Sequence, residues 1–378
     1  MKVELHIIQN FPPSCLNRDD TNTPKDCEFG GERRARISSQ CLKRAIREEP
    51  IFRDTLNQEL GKRTKLIAGQ LKKALPSDKQ DAPETDAIVT GIITRLSAFD
   101  SKNPEKTKVL LFVGKDEVER MRNLIVQEWD NLTRAARKDA GKDKGDALAT
   151  TCEKVMRGFE KTKPHSPDIA LFGRMLAENP GYNIDAACQV AHAISTNRVA
   201  MELDYYTAMD DLQPKEEPGA GMIGVVGYNS SCFYRYTLVD IDRLDENLDR
   251  DWELTTRAVE AFIRAAVVAI PTGKQTSMAA QNLPEAIFAV VRANGAPASL
   301  ANAFVKPVRP SRDKDLITAS IEALVDYWER LAKLYGENGI QARAICQLRD
   351  ANLKALTTDK VDSLDRLVDK VIQAVNSK

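Results

Sequence analysis

An α+β fold is predicted: a β-α-β-β-α-β sheet in the ferredoxin-like or RRM-like order, interrupted by a helical insertion and a hairpin-like arm. Three observations predict it. Apolar and polar residues alternate through the first nine positions, roughly 110 residues beyond Pro50 keep helical spacing instead, and alternation returns after His165.

The opening strand, residues 1 to 9, sets Val3, Leu5 and Ile7 against Glu4 and His6, which places His6 outward. Residues 10 to 31 read as loop, rich in Pro, Asn, Asp and Gly, and carry SCLNRDD and Lys25. Ser38-Ser39 suits the start of a helix over 38 to 48 with the apolar stripe Leu42, Ala45 and Ile46. Beyond Pro50 helical spacing recurs in Leu56, Leu60, Ile67 and Leu71, in Ile88, Ile92, Ile93 and Leu96, and in Val118, Met121, Leu124, Ile125, Trp129 and Leu132. Pro76, Pro83 and Pro104 punctuate these segments. The tail interleaves Arg134, Arg137, Lys138, Lys142 and Lys144 with Asp139, Asp143 and Asp146, either a solvated face or a second nucleic-acid patch.

PDIALFGRML predicts a short strand turning at Gly173, followed by Arg174 and Met175, the methionine being either core or an apolar wedge against a base. Residues 187 to 194 predict a strand with His192 in the core. Tyr205-Tyr206-Thr207 stand at the base of a Gly- and Pro-rich excursion, residues 213 to 227. In a strand, adjacent rings point to opposite faces, one inward and one outward. Strands at 233 to 241 and 286 to 292 flank a helix at 254 to 270, and helices at 315 to 334 and 361 to 375 close the chain. Gly273-Lys274 is not a Walker A loop, because Val268 stands where its first glycine belongs.

Composition bounds the function classes. The 378 residues balance 55 basic against 55 acidic side chains and are 42% hydrophobic, as expected for a globular chain with a substantial core. No apolar run approaches the roughly 18 residues of a membrane span, since residues 258 to 270 are interrupted by Glu260 and Arg264. The N-terminus turns polar too early for a signal peptide, so a cytoplasmic protein is expected. Seven scattered cysteines without a CxxC pair and three separated histidines predict reduced thiols and no metal or other cofactor.

Within this neutral chain, Arg33, Arg34, Arg36, Lys43, Arg44 and Arg47 stand between Glu32 and Glu48 with no acid among them. Lys43 and Arg47 lie one helical turn apart, and like charges at that spacing repel unless an anion sits between them. With the amides of the helix start they make a seat for phosphate. The competing reading is a solvated basic face, partly neutralised by an Arg44–Glu48 pair.

SCLNRDDTNTPKDCEFGGERRARISSQCLKRAIR, IALFGRM, AHAISTNRV, DYYTAMDDLQ and SSCFYRYTLVDI together resemble the CasC family, the repeated backbone subunit of the type I-E CRISPR surveillance complex Cascade, within the RAMP superfamily. The resemblance implies a hand: an RRM-like or ferredoxin-like palm, helical fingers and a β-hairpin thumb. Residues 1–49 would be the first part of the palm, 50–165 the fingers insertion, 166–197 the second part of the palm, 198–230 the thumb arm, and 231–378 the third part of the palm with C-terminal helices. It further implies a non-catalytic subunit that polymerises along CRISPR RNA, grips its phosphates, kinks bases at regular intervals and presents the guide to target DNA in antiviral defence. The implied partners are CRISPR RNA, the target DNA strand paired to it, further copies of the chain, and the large subunit, small subunit and guide-end caps of Cascade, with no membrane.

By motif, Arg18, Lys25, Ser38, Gln40, Lys43 and Arg47 would meet guide phosphates, and Arg174 and Met175 would lie along the RNA. Tyr205, Tyr206 and Thr207 would prop the bases flanking the kink, with rings and hydroxyls where family members carry a tryptophan-phenylalanine pair. Related RAMP backbone subunits of type III complexes cut target RNA with an aspartate in the loop after the first strand. Asp19, Asp20 and Asp26 lie in that loop, so metal-dependent endonuclease activity is the alternative expectation.

Overall fold

The computed structural model describes residues 1–56, 60–140, 146–160, 163, 165–176, 179–208 and 222–377. The chain divides into a sheet unit, Met1–Phe52, Gln189–Asp240 and Val259–Lys378, and a helical unit, Arg53–Cys188 and Ile241–Ala258.

In the sheet unit, β1 (Lys2–Ser14) is the spine. It is followed by β2 (Asp26–Phe29), β3 (Glu32–Ile37), α1 (Ser39–Glu48), β4 (Cys188–Val190), β5 (Ala193–Ser195), β6 (Glu202–Ala208) and β7 (Met222–Asp240). The chain then supplies α2 (Trp252–Val268), β8 (Ala286–Arg292), α3 (Leu316–Tyr335), β9 (Ile340–Gln347) and α4 (Leu364–Asn376). The sheet runs β9-β8-β1-β7-β5-β3-β2 with antiparallel neighbours, and β4 and β6 also pair with β7. Lys2 faces Asp240 on one side and Arg292 on the other.

Helices cover both faces of this sheet. Tyr234 and Phe288 pack with Ile321, Leu324, Val325 and Trp328 of α3. On the other face Arg235, opposite Ile7, donates to the Ala266 carbonyl of α2. This corrects the outward placement of His6: alternation puts it on the face opposite Val3, Leu5 and Ile7, but that face meets α3 and not water. His6 is 1% exposed, its Nδ1 lies 2.9 Å from the Tyr234 hydroxyl, and its ring stacks on Phe288. Burial, then the Arg292 charge, lowers its pKa to about 3.

Residues 10 to 31 are less irregular than expected. β1 continues to Ser14, and residues 26 to 29 form a strand that turns back into β3 through Gly30-Gly31. Both glycines have positive φ, +63° and +74°, which is what a two-residue hairpin turn requires and side chains disfavour. The strand expected at 187 to 194 is two three-residue strands, and His192 falls in the gap, exposed and not in the core. The expected helices 315 to 334 and 361 to 375 are α3 and α4, capped by the side chains of Asp315 and Ser363. β9 has no counterpart among the expected strands; only its adjacent Ala344 and Ile345 are fully buried, and no apolar alternation marks one face.

In the helical unit, the helices Ile67–Ala74, Thr85–Thr94, Lys115–Gln127, Trp129–Asp139 and Ala147–Glu160 enclose one core that includes Ile88, Ile92, Met121, Ile125, Leu132 and Phe159. A two-stranded ribbon, Lys62–Thr64 with Leu111–Val113, interrupts the expected all-helical pattern, its strands too short to register as a period. PDIALF is a helix, Pro167–Phe172, not a strand. A short apolar run fits either period, and Pro167 at the first helical position with Asp168 in the first turn decides for helix. In the basic tail Arg137 pairs with Glu84 at 2.7 Å, while Asp139 accepts the Leu148 amide. Lys142, Asp143 and Lys144 lie outside the described residues.

Among the described residues no helix is long and apolar enough to cross a membrane. None of the seven cysteines is in a disulfide.

Candidate nucleic-acid interface

The loop between β1 and β2 is tied into one piece by short-range hydrogen bonds. The Asp19 carboxylate accepts from the hydroxyls and amides of Thr21 and Thr23, which lowers its pKa to about 2. Arg18 donates to the Asn22 side chain at 3.1 Å. Asn17 is the pin: its carbonyl accepts the Lys25 amide and its side-chain oxygen accepts the Ser38 amide, each at 2.8 Å. Lys25 in turn accepts the Arg36 amide at 2.9 Å. The structure thereby brings together Arg18, Lys25 and the start of α1.

Ser38 is buried and caps α1, its hydroxyl accepting the Cys41 amide at 3.4 Å. The Ser39 amide donates to His192 Nδ1 at 3.2 Å. Two of the first amides therefore already have protein partners, and the expected open helix start reduces to the Gln40 amide among the described residues. Gln40 is exposed, and Lys43 and Arg47 are half-buried one turn apart. Leu42 and Ile46 bury the inner stripe, and Arg44 pairs with Glu48 at 3.0 Å as expected.

The other arginines of the basic stretch have separate fates. Arg34 is fully buried and donates to the carbonyls of Ser195, Thr196, Phe304 and Val305. Arg33 pairs with Asp26 at 2.8 Å. Arg36 Nη1 lies 3.3 Å from His192 Nδ1. A cleft of about 340 Å³ runs beside α1, lined by Asn17, Arg18, Asn22, Arg44, Pro271 and Thr272 among others.

The arm is a ribbon of β6 with the first part of β7, pairing Tyr205 with Val225, Tyr206 with Gly224 and Thr207 with Ile223. Both rings are exposed, Tyr205 at 71% and Tyr206 at 44%, and so is Thr207, which corrects the expectation that one ring packs inward. Among the described residues β6 pairs with β7 alone, and Glu202 to Thr207 are all exposed. Tyr206 lies across Gly224, where a Cβ would fall 2.3 Å from its Cζ. Gly227 backs onto Thr23 and Pro24, which roots the arm on the loop that carries Arg18 and Lys25. Residues 222 to 227 are strand, while 213 to 221 of the excursion lie outside the described residues.

Arg174 and Met175 belong to the helical unit. The Arg174 side chain is only 7% exposed, with its guanidinium 2.8 Å from Glu117 and donating to the carbonyls of Phe112 and Tyr182. It is an interior ion pair, not a surface cation. Met175 is 81% exposed, which answers the alternative of core packing. Asn17 and His192 are the contributors that sequence reasoning missed. His192 had no usable signal, since the alanines around it carry little apolar contrast.

Among the described residues no group of three or more His, Cys, Asp or Glu side chains is placed to hold a metal. A solved chain described as "CRISPR RNA-guided surveillance complex, pre-nicking" is similar to this one with a TM-score of 0.83 and 29% identity, over 99% of this chain and 100% of that chain. Another, described as "CRISPR RNA-guided surveillance complex", is similar with a TM-score of 0.74 and 26% identity over the same shares. No curated protein matches the chain. The family described as CT1975-like protein matches residues 3–373, nearly the whole length. The chain therefore belongs to the Cas_CT1975 family of CT1975-like proteins.

Proposed function

We propose that this chain is a non-catalytic backbone subunit of a cytoplasmic CRISPR RNA-guided surveillance complex of the type I-E Cascade kind. It polymerises along the guide, grips its phosphates, kinks bases at regular intervals with its arm, and presents the rest to target DNA. The observation that carries the reading is the single pinned assembly of Arg18, Lys25 and α1, with Lys43 and Arg47 on the helix, rooted against an arm that presents two rings.

Cations and stacking surfaces bind a strand without reading base edges, which suits a subunit that leaves specificity to base pairing. The order β8-β1-β7-β5 supports the ferredoxin-like palm, since those four strands follow the 4-1-3-2 arrangement of that fold. The helical unit supplies the fingers, where the buried Arg174–Glu117 pair braces the turn that sets Met175 at the surface along the RNA. The non-catalytic reading is supported by the Asp19 carboxylate being engaged by two threonines and Asp26 by Arg33.

The test is what copurifies. RNA of defined length carrying several copies of the chain per strand is the expected result, and a nucleic-acid-free monomer sinks the reading. Incubation with magnesium should leave bound target RNA intact. Cleavage that disappears in Asp26→Ala overturns the non-catalytic part alone.

A further inference from the structure

We propose that His192 is a further guide-contacting residue, a neutral donor whose Nε2–H binds a phosphate oxygen beside Lys25 and Arg36; this rests on the RNA-binding reading above. The ring is exposed in the gap between β4 and β5. Its Nδ1 accepts the Ser39 amide at 3.2 Å and stands 3.3 Å from Arg36 Nη1. A nitrogen that accepts carries no proton, so the neutral ring holds its proton on Nε2. Among the described residues no protein group accepts that proton.

The charges acting on the ring are both positive, Arg36 on β3 and Lys25 on the loop before β2, and no carboxylate opposes them. Burial, then those two cations, lowers the pKa of His192, so the ring is neutral at physiological pH. Protonation at Nδ1 would also displace the Ser39 amide and face Arg36. The result is a fixed donor, set by α1 and flanked by two cations without an anion between them. An anionic oxygen at Nε2 is the ligand that satisfies the donor within the positive field of both cations. Gln40, next along α1, carries the remaining amide of the helix start.

Two variants separate this role from a structural one. Asparagine presents an oxygen where Nδ1 stands but cannot reach the Nε2 position, whereas glutamine places an amide N–H there. His192→Asn should keep its melting temperature yet bind a generic single-stranded RNA about three- to tenfold more weakly, the worth of one hydrogen bond. His192→Gln should recover most of that affinity. Because the donor is neutral, the slope of log affinity against log salt should be unchanged in His192→Asn, while Lys43→Ala/Arg47→Ala flattens it.

Unchanged affinity in His192→Asn, no recovery in His192→Gln, or a slope lowered by about 0.7 as for a charged contact, overturns the assignment. If wild type itself fails to bind RNA, or the Lys43/Arg47 variant binds as wild type does, the function proposed above fails instead.

Discussion

The stretch around α1 and the turn at Gly173 both carry arginines beside a glycine turn, and the two regions dispose of them differently. At Gly173 the one arginine goes inside, where Arg174 meets Glu117 and two carbonyls. In the basic stretch only Arg34 goes inside, to four carbonyls, while Arg36, Lys43 and Arg47 are half-buried and Arg33 and Arg44 exposed. The difference teaches that a cation is interior where buried acceptors converge on it, and stays toward the surface where the inner face is already filled by Leu42 and Ile46.

The largest expected effect breaks that comparison directly. Arg174→Ala strands a carboxylate whose side chain is 2% exposed, and should cost about 3–5 kcal/mol, read as a lower denaturation midpoint. Lys43→Ala should stay within about 0.5 kcal/mol. Equal losses in the two variants would mean that the interior and surface cations are not distinct.

Acid should distinguish the two histidines of the sheet unit. His6 has a pKa of about 3 in the fold against an ordinary 6.5, so between those values the unfolded chain binds the extra proton. Its stabilisation is complete above 6.5 and declines as pH falls toward 3, by about 1.4 kcal/mol per pH unit. Urea midpoints measured from pH 7 to 4 should fall less steeply in His6→Gln than in wild type. Parallel curves would show that His6 is not held neutral in the core.

For the arm, Tyr205→Ala should cost about 1–3 kcal/mol of stacking, seen as a change in a fluorescent base at the kinked positions only. A uniform change along the guide would deny the arm its separate role. The smallest effect sharpens the surface side: Lys43→Ala and Arg47→Ala should weaken binding whatever the RNA sequence and lower the salt slope by about 0.7 for each lost contact. An unchanged slope would leave α1 a solvated basic face.

Much of this was legible beforehand. The strands around Leu5, Phe288 and Val239, the helices with Ile46 and Val325, and the capping by Asp315 all follow from local periodicity and local hydrogen bonding. The Gly30-Gly31 hairpin was written in the residues but is overshadowed by the Pro- and Asn-rich run before it. Illegible were the identities of faces and partners. His6 and His192 take the reverse of their expected environments because the strand face of His6 meets α3, far along the chain, while His192 falls in the gap between β4 and β5.

The sequence by itself determined the order of elements and the concentration of positive charge at residues 33 to 47, because periodicity and the absence of nearby acids are properties of neighbouring residues. Only the tertiary structure decided which of those charges goes inside and which stays toward the surface. The acceptors that draw Arg34 and Arg174 inward, Phe304 and Glu117, lie 270 and 57 residues away, and a buried charge is stable only where folding has assembled such partners around it.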